Sequence, residues 1–228
     1  MRTFLRIFFY FLYHQFAFAY DLVAAVVSFG HWNNWILEVR PFIEGTRILE
    51  IGHGPGHLQR VLLNRGLVSV AIDESASMGH LAKRNLTRLN SASSIQSSAH
   101  ISHIHQPGYA QTKLTRGLAQ QLPFCDKSFD TVIATFPAEY IADPLTLSEV
   151  KRCLSDGGRF IVLLAAMPKN PFLSWLFKVT GQASSEAEEV IRESLEEPFI
   201  ESDLDIETQM IERPSGSVII ILATKKEI

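Results

Sequence analysis

The sequence predicts an α/β fold built on a doubly wound, mainly parallel sheet. Short apolar segments rich in β-branched residues alternate with segments of helical spacing, which is the pattern of parallel strands joined by helices. The first strand-like segment, residues 47–51, leads directly into a glycine-rich turn and then a helical pattern. Near the end of the chain, two strand-like segments flank Pro214-Ser215-Gly216 and predict an antiparallel hairpin. Such sheets bind ligands beyond the carboxyl ends of their strands.

Length and composition favour a single domain and exclude some partners. The chain has 228 residues, and 46% of them are hydrophobic, which is enough for a sizeable core. Its formal net charge of −3 argues against a nucleic-acid partner. Cys125 and Cys153 lack the spacing of metal ligands, so we expect buried thiols, no metal site and a reducing, cytoplasmic location.

Residues 1–44 are predicted to form a helical cap on the core. Residues 4–29 are apolar nearly all round, but His14 and Gln15 interrupt them and disfavour both a cleaved signal peptide and a membrane-spanning helix. A helix docked on the domain is the preferred interpretation. The alternative is a helix at a membrane surface, with residues 1–29 in peripheral contact with the inner face of the membrane. A second helix is expected at 31–40 and should end at Pro41.

The remaining residues, 45–228, are predicted to form the core with two insertions. Strands are expected at 47–51, 67–72, 113–116, 128–135 and 159–164, helices at 57–63, 76–89 and 144–154, and hairpin strands at 205–212 and 217–224. The insertion at 90–112 is serine-rich and is expected to be flexible. The insertion at 167–203 is expected to be helical, with a proline-bounded segment at 172–179 and an acidic helix at 185–197. His100, His103 and His105 have no cysteine or carboxylate among them, so we assign them to a solvated loop and not to a metal site.

The glycine turn points to a nucleoside ligand. Its glycines, at 52, 54 and 56, form G-x-G-x-G, whereas the dinucleotide fingerprint is G-x-G-x-x-G and a phosphate-binding P-loop needs a following Gly-Lys-Ser/Thr. Asp73 ends the next predicted strand, 21 residues after Gly52, where a carboxylate can accept two hydrogen bonds from a ribose diol. The structural alternative is that the glycines only make a tight turn and that Asp73 only caps the next helix.

Four stretches carry a resemblance to a known family. They are ILEIGHGPGHL (48–58), VAIDESASM (70–78), GLAQQLPFCDKSFDTVIATF (117–136) and EVKRCLSDGGRFIVL (149–163). Together they resemble class I S-adenosylmethionine-dependent methyltransferases, in particular the type-11 group that includes the quinone-biosynthesis C-methyltransferases. The resemblance implies a Rossmann-like, seven-stranded sheet with a C-terminal antiparallel hairpin and an N-terminal helical cap. Ala19-Tyr20-Asp21 also resembles an element that such enzymes carry before the glycine motif.

The resemblance implies a set of cofactor-binding residues for S-adenosylmethionine and its product, S-adenosylhomocysteine. Asp73 would hold the ribose hydroxyls, Glu50 would support the turn and the amino group, and Met78 would contact adenine through its thioether. The full set is Tyr20, Glu50, Gly52, His53, Gly54, Gly56, Asp73, Glu74, Met78, Leu118, Ala119 and Thr135. Leu118 departs from the family pattern, in which an aspartate commonly accepts a hydrogen bond from adenine. Because this chain lacks that aspartate and its hydrogen bond, its affinity for the cofactor should be weaker by about 1 kcal/mol.

Methyl transfer from a sulfonium is an in-line displacement that needs alignment more than acid–base catalysis, so no catalytic residue is assigned. Where the acceptor must lose a proton, the candidate bases are His14, Asp21, His53, Glu139 and Tyr140. Glu139 and Tyr140 carry the most weight because they follow the fourth strand. The acceptor is expected to be small and apolar, either quinone-like or lipid-like. The oligomeric state stays open.

Two other function classes remain open from the sequence alone. The chain could bind S-adenosylmethionine or S-adenosylhomocysteine without catalysis, as a regulatory or scaffolding protein, which Leu118 and the lack of a clear base leave open. A nicotinamide-dependent oxidoreductase is disfavoured by the spacing of the glycines.

Overall fold

The structure is a computed structural model that describes residues 31–96, 113–168 and 197–226. Several predictions concern residues outside these ranges: the N-terminal helix with His14, Tyr20 and Asp21, the three histidines at 100–105, the proline-bounded segment at 172–179, and the helix at 185–197 except for its last residue. Among the described residues, no helix is long and apolar enough to cross a bilayer.

Strands and helices alternate over much of the described chain, which ends in a β-hairpin. The strands are β1 (Ile48–Ile51), β2 (Ser69–Asp73), β3 (Lys113–Arg116), β4 (Phe129–Thr135), β5 (Leu154–Pro168), β6 (Asp205–Arg213) and β7 (Gly216–Thr224). The helices are α1 (Trp32–Ile36), α2 (His57–Leu63), α3 (Ala76–Gln96) and α4 (Pro144–Cys153), with 3-10 helices at Leu37–Phe42 and Glu139–Ala142. A further helical turn covers 197–200.

The strands form one seven-stranded sheet in the order β3-β2-β1-β4-β5-β7-β6. The first five are parallel, and β7 pairs antiparallel with both β5 and β6, so the predicted mainly parallel sheet with a closing hairpin is confirmed. The chain moves outward in one direction from β1 to β3 and in the other from β4 onward. Sheets of this kind bind ligands at this switch point, between the carboxyl ends of β1 and β4.

Both faces of the sheet are buried, as doubly wound sheets require. Along β1, Leu49 and Ile51 face one apolar cluster, which also contains Phe160 and Phe199. Ile48 faces the other cluster, where Trp35, Ile36 and Val39 of the cap pack with Leu58 and Leu62 of α2. The described part of the cap is therefore a structural component of one layer.

Some boundaries differ from the predictions. Helix α3 continues to Gln96, so the insertion predicted to be flexible at 90–112 begins with helix. The reason is that residues 90–96 contain no glycine or proline, and serine lowers helix stability only modestly relative to alanine. Strand β5 is longer than predicted, because Leu154 already pairs with Phe129 and the strand continues to Pro168, which shortens the second insertion.

The cap helix also differs from its prediction. The α-helix stops at Ile36, and the chain tightens into the 3-10 helix Leu37–Phe42, which contains Pro41. Proline was predicted to end the helix, but it sits inside this short segment. Proline has no N–H and clashes with the carbonyl of residue i−4, so Pro41 cannot continue an α-helix. The chain therefore runs through Pro41 as a short 3-10 segment.

Candidate active site

The glycine turn lies at the switch point and is held by its own backbone hydrogen bonds. The Gly52 N–H donates to the carbonyl of Ile72 (2.8 Å), and the Gly56 N–H donates to the carbonyl of His53 (2.9 Å). Gly56 has φ = +83° and is the N-cap residue of α2. A Cβ at Gly56 would lie 3.1 Å from the Cβ of Ala82, so this glycine also lets α2 and α3 pack closely.

Asp73 joins the turn to helix α3. Its Oδ2 accepts a hydrogen bond from the Gly54 N–H (2.8 Å), and its Oδ1 accepts one from the Ser75 N–H (2.8 Å). Each carboxylate oxygen has two lone pairs, so each retains one for a further donor. Asp73 therefore stands beside the turn. The contact with Ser75 also gives it the structural role that the alternative interpretation required.

Glu50 is a buried carboxyl group directly beneath the turn. It is 1% exposed, and its Oε2 accepts a hydrogen bond from Gln59 Nε2 (2.6 Å), while Gln59 Oε1 accepts one from the Ser69 hydroxyl (2.6 Å). Burial raises the pKa of Glu50 to about 8; the Gln59 hydrogen bond lowers it in part, and the negative charge of Asp73 raises it further. In the absence of a cation, Glu50 is therefore mostly protonated at pH 7.

His53 has a defined tautomer. Its ring is buried, and Nδ1 lies 2.7 Å from the carbonyl oxygen of Gly54. Because a carbonyl oxygen can only accept, Nδ1 carries the proton and donates. Nε2 is then the atom available as an acceptor, which keeps His53 among the candidate bases.

A small pocket opens beside the turn. It is lined by Trp32, Ile36, Glu50, Gly52, His53, Gly54, Pro55, His57, Leu58 and Thr135. Five of these had been predicted as cofactor-binding residues: Glu50, Gly52, His53, Gly54 and Thr135. The structure thus brings together residues from β1, the turn and the end of β4 that are far apart in sequence.

The side of this pocket formed by β4 and the cap is aromatic. Trp32 stacks on Phe136 with ring centroids 4.2 Å apart and planes inclined at 33°. Phe136 directly follows β4 and has φ = +48°, a conformation uncommon for a residue with a side chain. Trp32 lies in the helix expected at 31–40, but the sequence does not mark it as a site residue. Its signal was a large aromatic residue in a cap segment next to the site.

The residues predicted to lie near adenine are on the side of Asp73 that faces β3. The Gly117 N–H donates to the carbonyl of Asp73 (3.2 Å), which brings residues 117–119 to the end of β2. Leu118 is 49% exposed and Glu74 is exposed, whereas Ala119 is buried and Met78 is completely buried. Leu118 and Glu74 therefore present their side chains to solvent, and the thioether of Met78 lies within the core.

Two of the candidate bases lie in the 3-10 helix that follows β4. Glu139 is exposed, whereas Tyr140 is partly buried and points back to the turn. The position that a Cβ on Gly52 would take is 2.1 Å from the Tyr140 hydroxyl. Of these two residues, the structure brings Tyr140 to the turn. Tyr20, His14 and Asp21 lie outside the described residues.

A family model described as a methyltransferase domain matches residues 49–162, which is half of the chain. The chain belongs to this family of S-adenosylmethionine-dependent methyltransferases. The resemblance drawn from the four sequence stretches is thereby confirmed. The matched region runs from β1 into β5 and includes the glycine turn, Asp73 and the end of β4.

Relatives and solved structures agree with this assignment. The chain is 30% identical over 177 residues to the demethylmenaquinone methyltransferase of Symbiobacterium thermophilum, covering 74% of this chain and 63% of the relative. It is also 30% identical over 170 residues to a ubiquinone/menaquinone biosynthesis C-methyltransferase of Teredinibacter turnerae, covering 71% and 61%. The chain thus spans about three fifths of the length of these curated relatives.

The fold is shared with solved methyltransferases. A structure of a SAM-dependent methyltransferase from Methanosarcina mazei superposes with a TM-score of 0.53 at 18% identity, covering 84% of this chain and 98% of the other. At this identity the likeness concerns the fold, and it confirms the Rossmann-like methyltransferase architecture that the sequence predicted.

Proposed function

We propose that this methyltransferase transfers the methyl group of S-adenosylmethionine to a small, planar, apolar acceptor of the quinone type. The observation that carries the cofactor assignment is the hydrogen bond from the Gly54 N–H to Asp73 Oδ2 (2.8 Å). It fixes a carboxylate with free lone pairs at the edge of an open glycine turn, which is the arrangement needed to receive a ribose diol.

The residues around the turn suit the two ends of this cofactor. Asp73 binds the ribose hydroxyls, and residues 117–119 border the adenine. Glu50 faces the pocket from below and supplies a negative charge for the ammonium group once it ionises. The cofactor supplies a methyl group already activated by its sulfonium charge, so the protein mainly aligns the acceptor with it.

The aromatic pair Trp32–Phe136 supports a planar acceptor. Both rings lie at the β4 side of the turn, next to Thr135, and stacked aromatic surfaces favour a flat apolar partner over a charged headgroup. The two relatives above carry names that refer to menaquinone or ubiquinone biosynthesis. In the reaction, an electron-rich ring carbon of the reduced acceptor attacks the methyl, the carbon–sulfur bond breaks, and S-adenosylhomocysteine leaves. The proton on that ring carbon passes to a base or to water.

Acceptor choice can be tested with methyl-labelled S-adenosylmethionine. We expect label transfer to a reduced naphthoquinone with an unsubstituted ring position and none to phosphatidylethanolamine. Trp32→Ala should raise the KM for the quinol several-fold without changing affinity for the cofactor. Asn33→Ala, an exposed neighbour on the same helix, serves as the matched control. Transfer to the lipid alone would refute the acceptor proposal, and cofactor binding without transfer to any acceptor would favour a regulatory role.

A further inference from the structure

Tyr140 occupies an unusual place in the crevice at the switch point. It belongs to the 3-10 helix Glu139–Ala142, which follows β4, yet its hydroxyl lies against Gly52 at the end of β1. Its ring is partly buried and packs against the apolar cluster that contains Ile141 and Leu147. The side chain therefore reaches from the segment after β4 to the carboxyl end of the neighbouring strand β1, and it packs against the core there.

The turn itself has little capacity left to donate hydrogen bonds. The N–H groups of its three glycines are all engaged, with the carbonyl of Ile72, with Asp73 Oδ2 and with the carbonyl of His53. Nδ1 of His53 is engaged with the carbonyl of Gly54. Glu50 and Asp73 are acids and repel an anion once ionised. A carboxylate seated beside Gly52 therefore needs a donor from outside the turn.

We propose that the hydroxyl of Tyr140 donates a hydrogen bond to the carboxylate of the methionine part of the cofactor, making Tyr140 a positioning residue at that end of the site. The inference rests on the proposed function, since it assumes that S-adenosylmethionine binds at the turn. A phenol suits this task because it is a neutral donor that a partly buried ring can hold without a charge. Glu50, beneath the turn, faces the ammonium of the same amino-acid group. Tyr140 would then bind the negative end of that group and Glu50 its positive end.

The test compares two ligands that differ only in the amino-acid part. S-adenosylhomocysteine carries it, whereas 5′-methylthioadenosine has a methyl group in its place and keeps the same ribose and adenine. For Tyr140→Phe, we expect affinity for S-adenosylhomocysteine to fall about ten-fold or more, because the lost bond reaches a charged group. Affinity for 5′-methylthioadenosine should stay within about two-fold, since that ligand has no carboxylate. Isothermal titration calorimetry on the full chain measures both.

Asp73→Asn provides the positive control, because it should weaken both ligands through their common ribose. Equal loss of both ligands in Tyr140→Phe would overturn the proposal, since the hydroxyl would then only support the turn. Unchanged or tighter binding of S-adenosylhomocysteine would also overturn it. If the wild-type protein binds neither ligand, the proposed function falls and the role of Tyr140 falls with it. If it binds both and Tyr140→Phe loses nothing, only the role of Tyr140 is refuted.

Discussion

At the scale of single residues, Glu50 is a buried carboxyl group whose ionisation we expect to depend on the bound ligand. Its buried carboxyl group accepts a hydrogen bond from Gln59, which in turn accepts one from Ser69, and both of these partners are neutral. Among the described residues, no cation is paired with Glu50. Burial without a cation favours the protonated form, which is why its pKa rises to about 8. A ligand that carries an ammonium group would favour the ionised form. We therefore expect cofactor binding to be linked to proton release.

Glu50→Gln tests this account through stability. The unfolded chain loses the Glu50 proton near pH 4.5, whereas the folded protein keeps it until about pH 8. Wild-type stability should therefore fall, relative to the variant, as pH rises from about 4.5 to 8, and the difference should stay constant above pH 8. Since glutamine can still accept from Gln59, the variant should be more stable at pH 8 by about 2–4 kcal/mol.

Urea unfolding of both proteins at pH 5 and pH 8 measures this difference. At pH 5 the two should be nearly equal in free energy of unfolding, because both groups are then largely uncharged in the folded state. A stability gap that is the same at pH 5 and pH 8 would mean that Glu50 is already ionised in the folded protein.

At the scale of elements, the glycine turn and the 3-10 helix after β4 constrain each other. Gly52 (φ = +69°) and Gly54 (φ = +49°) both adopt left-handed conformations, but their surroundings differ. A Cβ at Gly52 would meet the Tyr140 hydroxyl at 2.1 Å, whereas a Cβ at Gly54 would have nothing within 4 Å. The two glycines are therefore a matched pair with the same backbone requirement and different packing.

Alanine at these two positions should separate backbone strain from packing. Gly54→Ala should cost about 1–2 kcal/mol for the left-handed conformation alone. Gly52→Ala should cost about 1–3 kcal/mol more, because the methyl displaces the Tyr140 ring. Adding Tyr140→Phe to Gly52→Ala removes the nearest atom and should recover part of that excess. Chemical denaturation of the single and double variants gives these values, and equal costs at both glycines would contradict the placement of Tyr140.

The elements themselves were largely predictable, since each strand of the sheet was anticipated within a few residues except β5. The periodicity of apolar residues identifies buried strands, and turn residues delimit them. The bounds of β5 were mispredicted because they depend on pairing with a neighbouring strand. Leu154 joins β5 because Phe129 lies beside it, which the local sequence does not reveal. The end of α3 was predicted too early because a serine-rich composition suggested a loop.

At the scale of the whole molecule, the fold places the site residues where no single motif could. The order of the strands brings β4 beside β1, so Thr135, Phe136 and Tyr140 reach a turn that lies about 80 residues earlier in the chain. The glycine turn and Asp73 were predictable because their spacing is local and chemically specific. The role of Trp32 and the contact between Tyr140 and Gly52 were not predictable, because both depend on tertiary packing.

The central claim is that the glycine turn and Asp73 form the binding site for S-adenosylmethionine. Calorimetric titration of the full chain with S-adenosylmethionine, for the wild-type protein and for Asp73→Ala, tests it most directly, with Glu201→Ala, an exposed acid outside the predicted site, as control. We expect one-site binding by the wild type and by Glu201→Ala, and a loss of about 100-fold or more in Asp73→Ala, because two hydrogen bonds to a charged group disappear. Absence of wild-type binding, or unchanged affinity in Asp73→Ala, would contradict the claim.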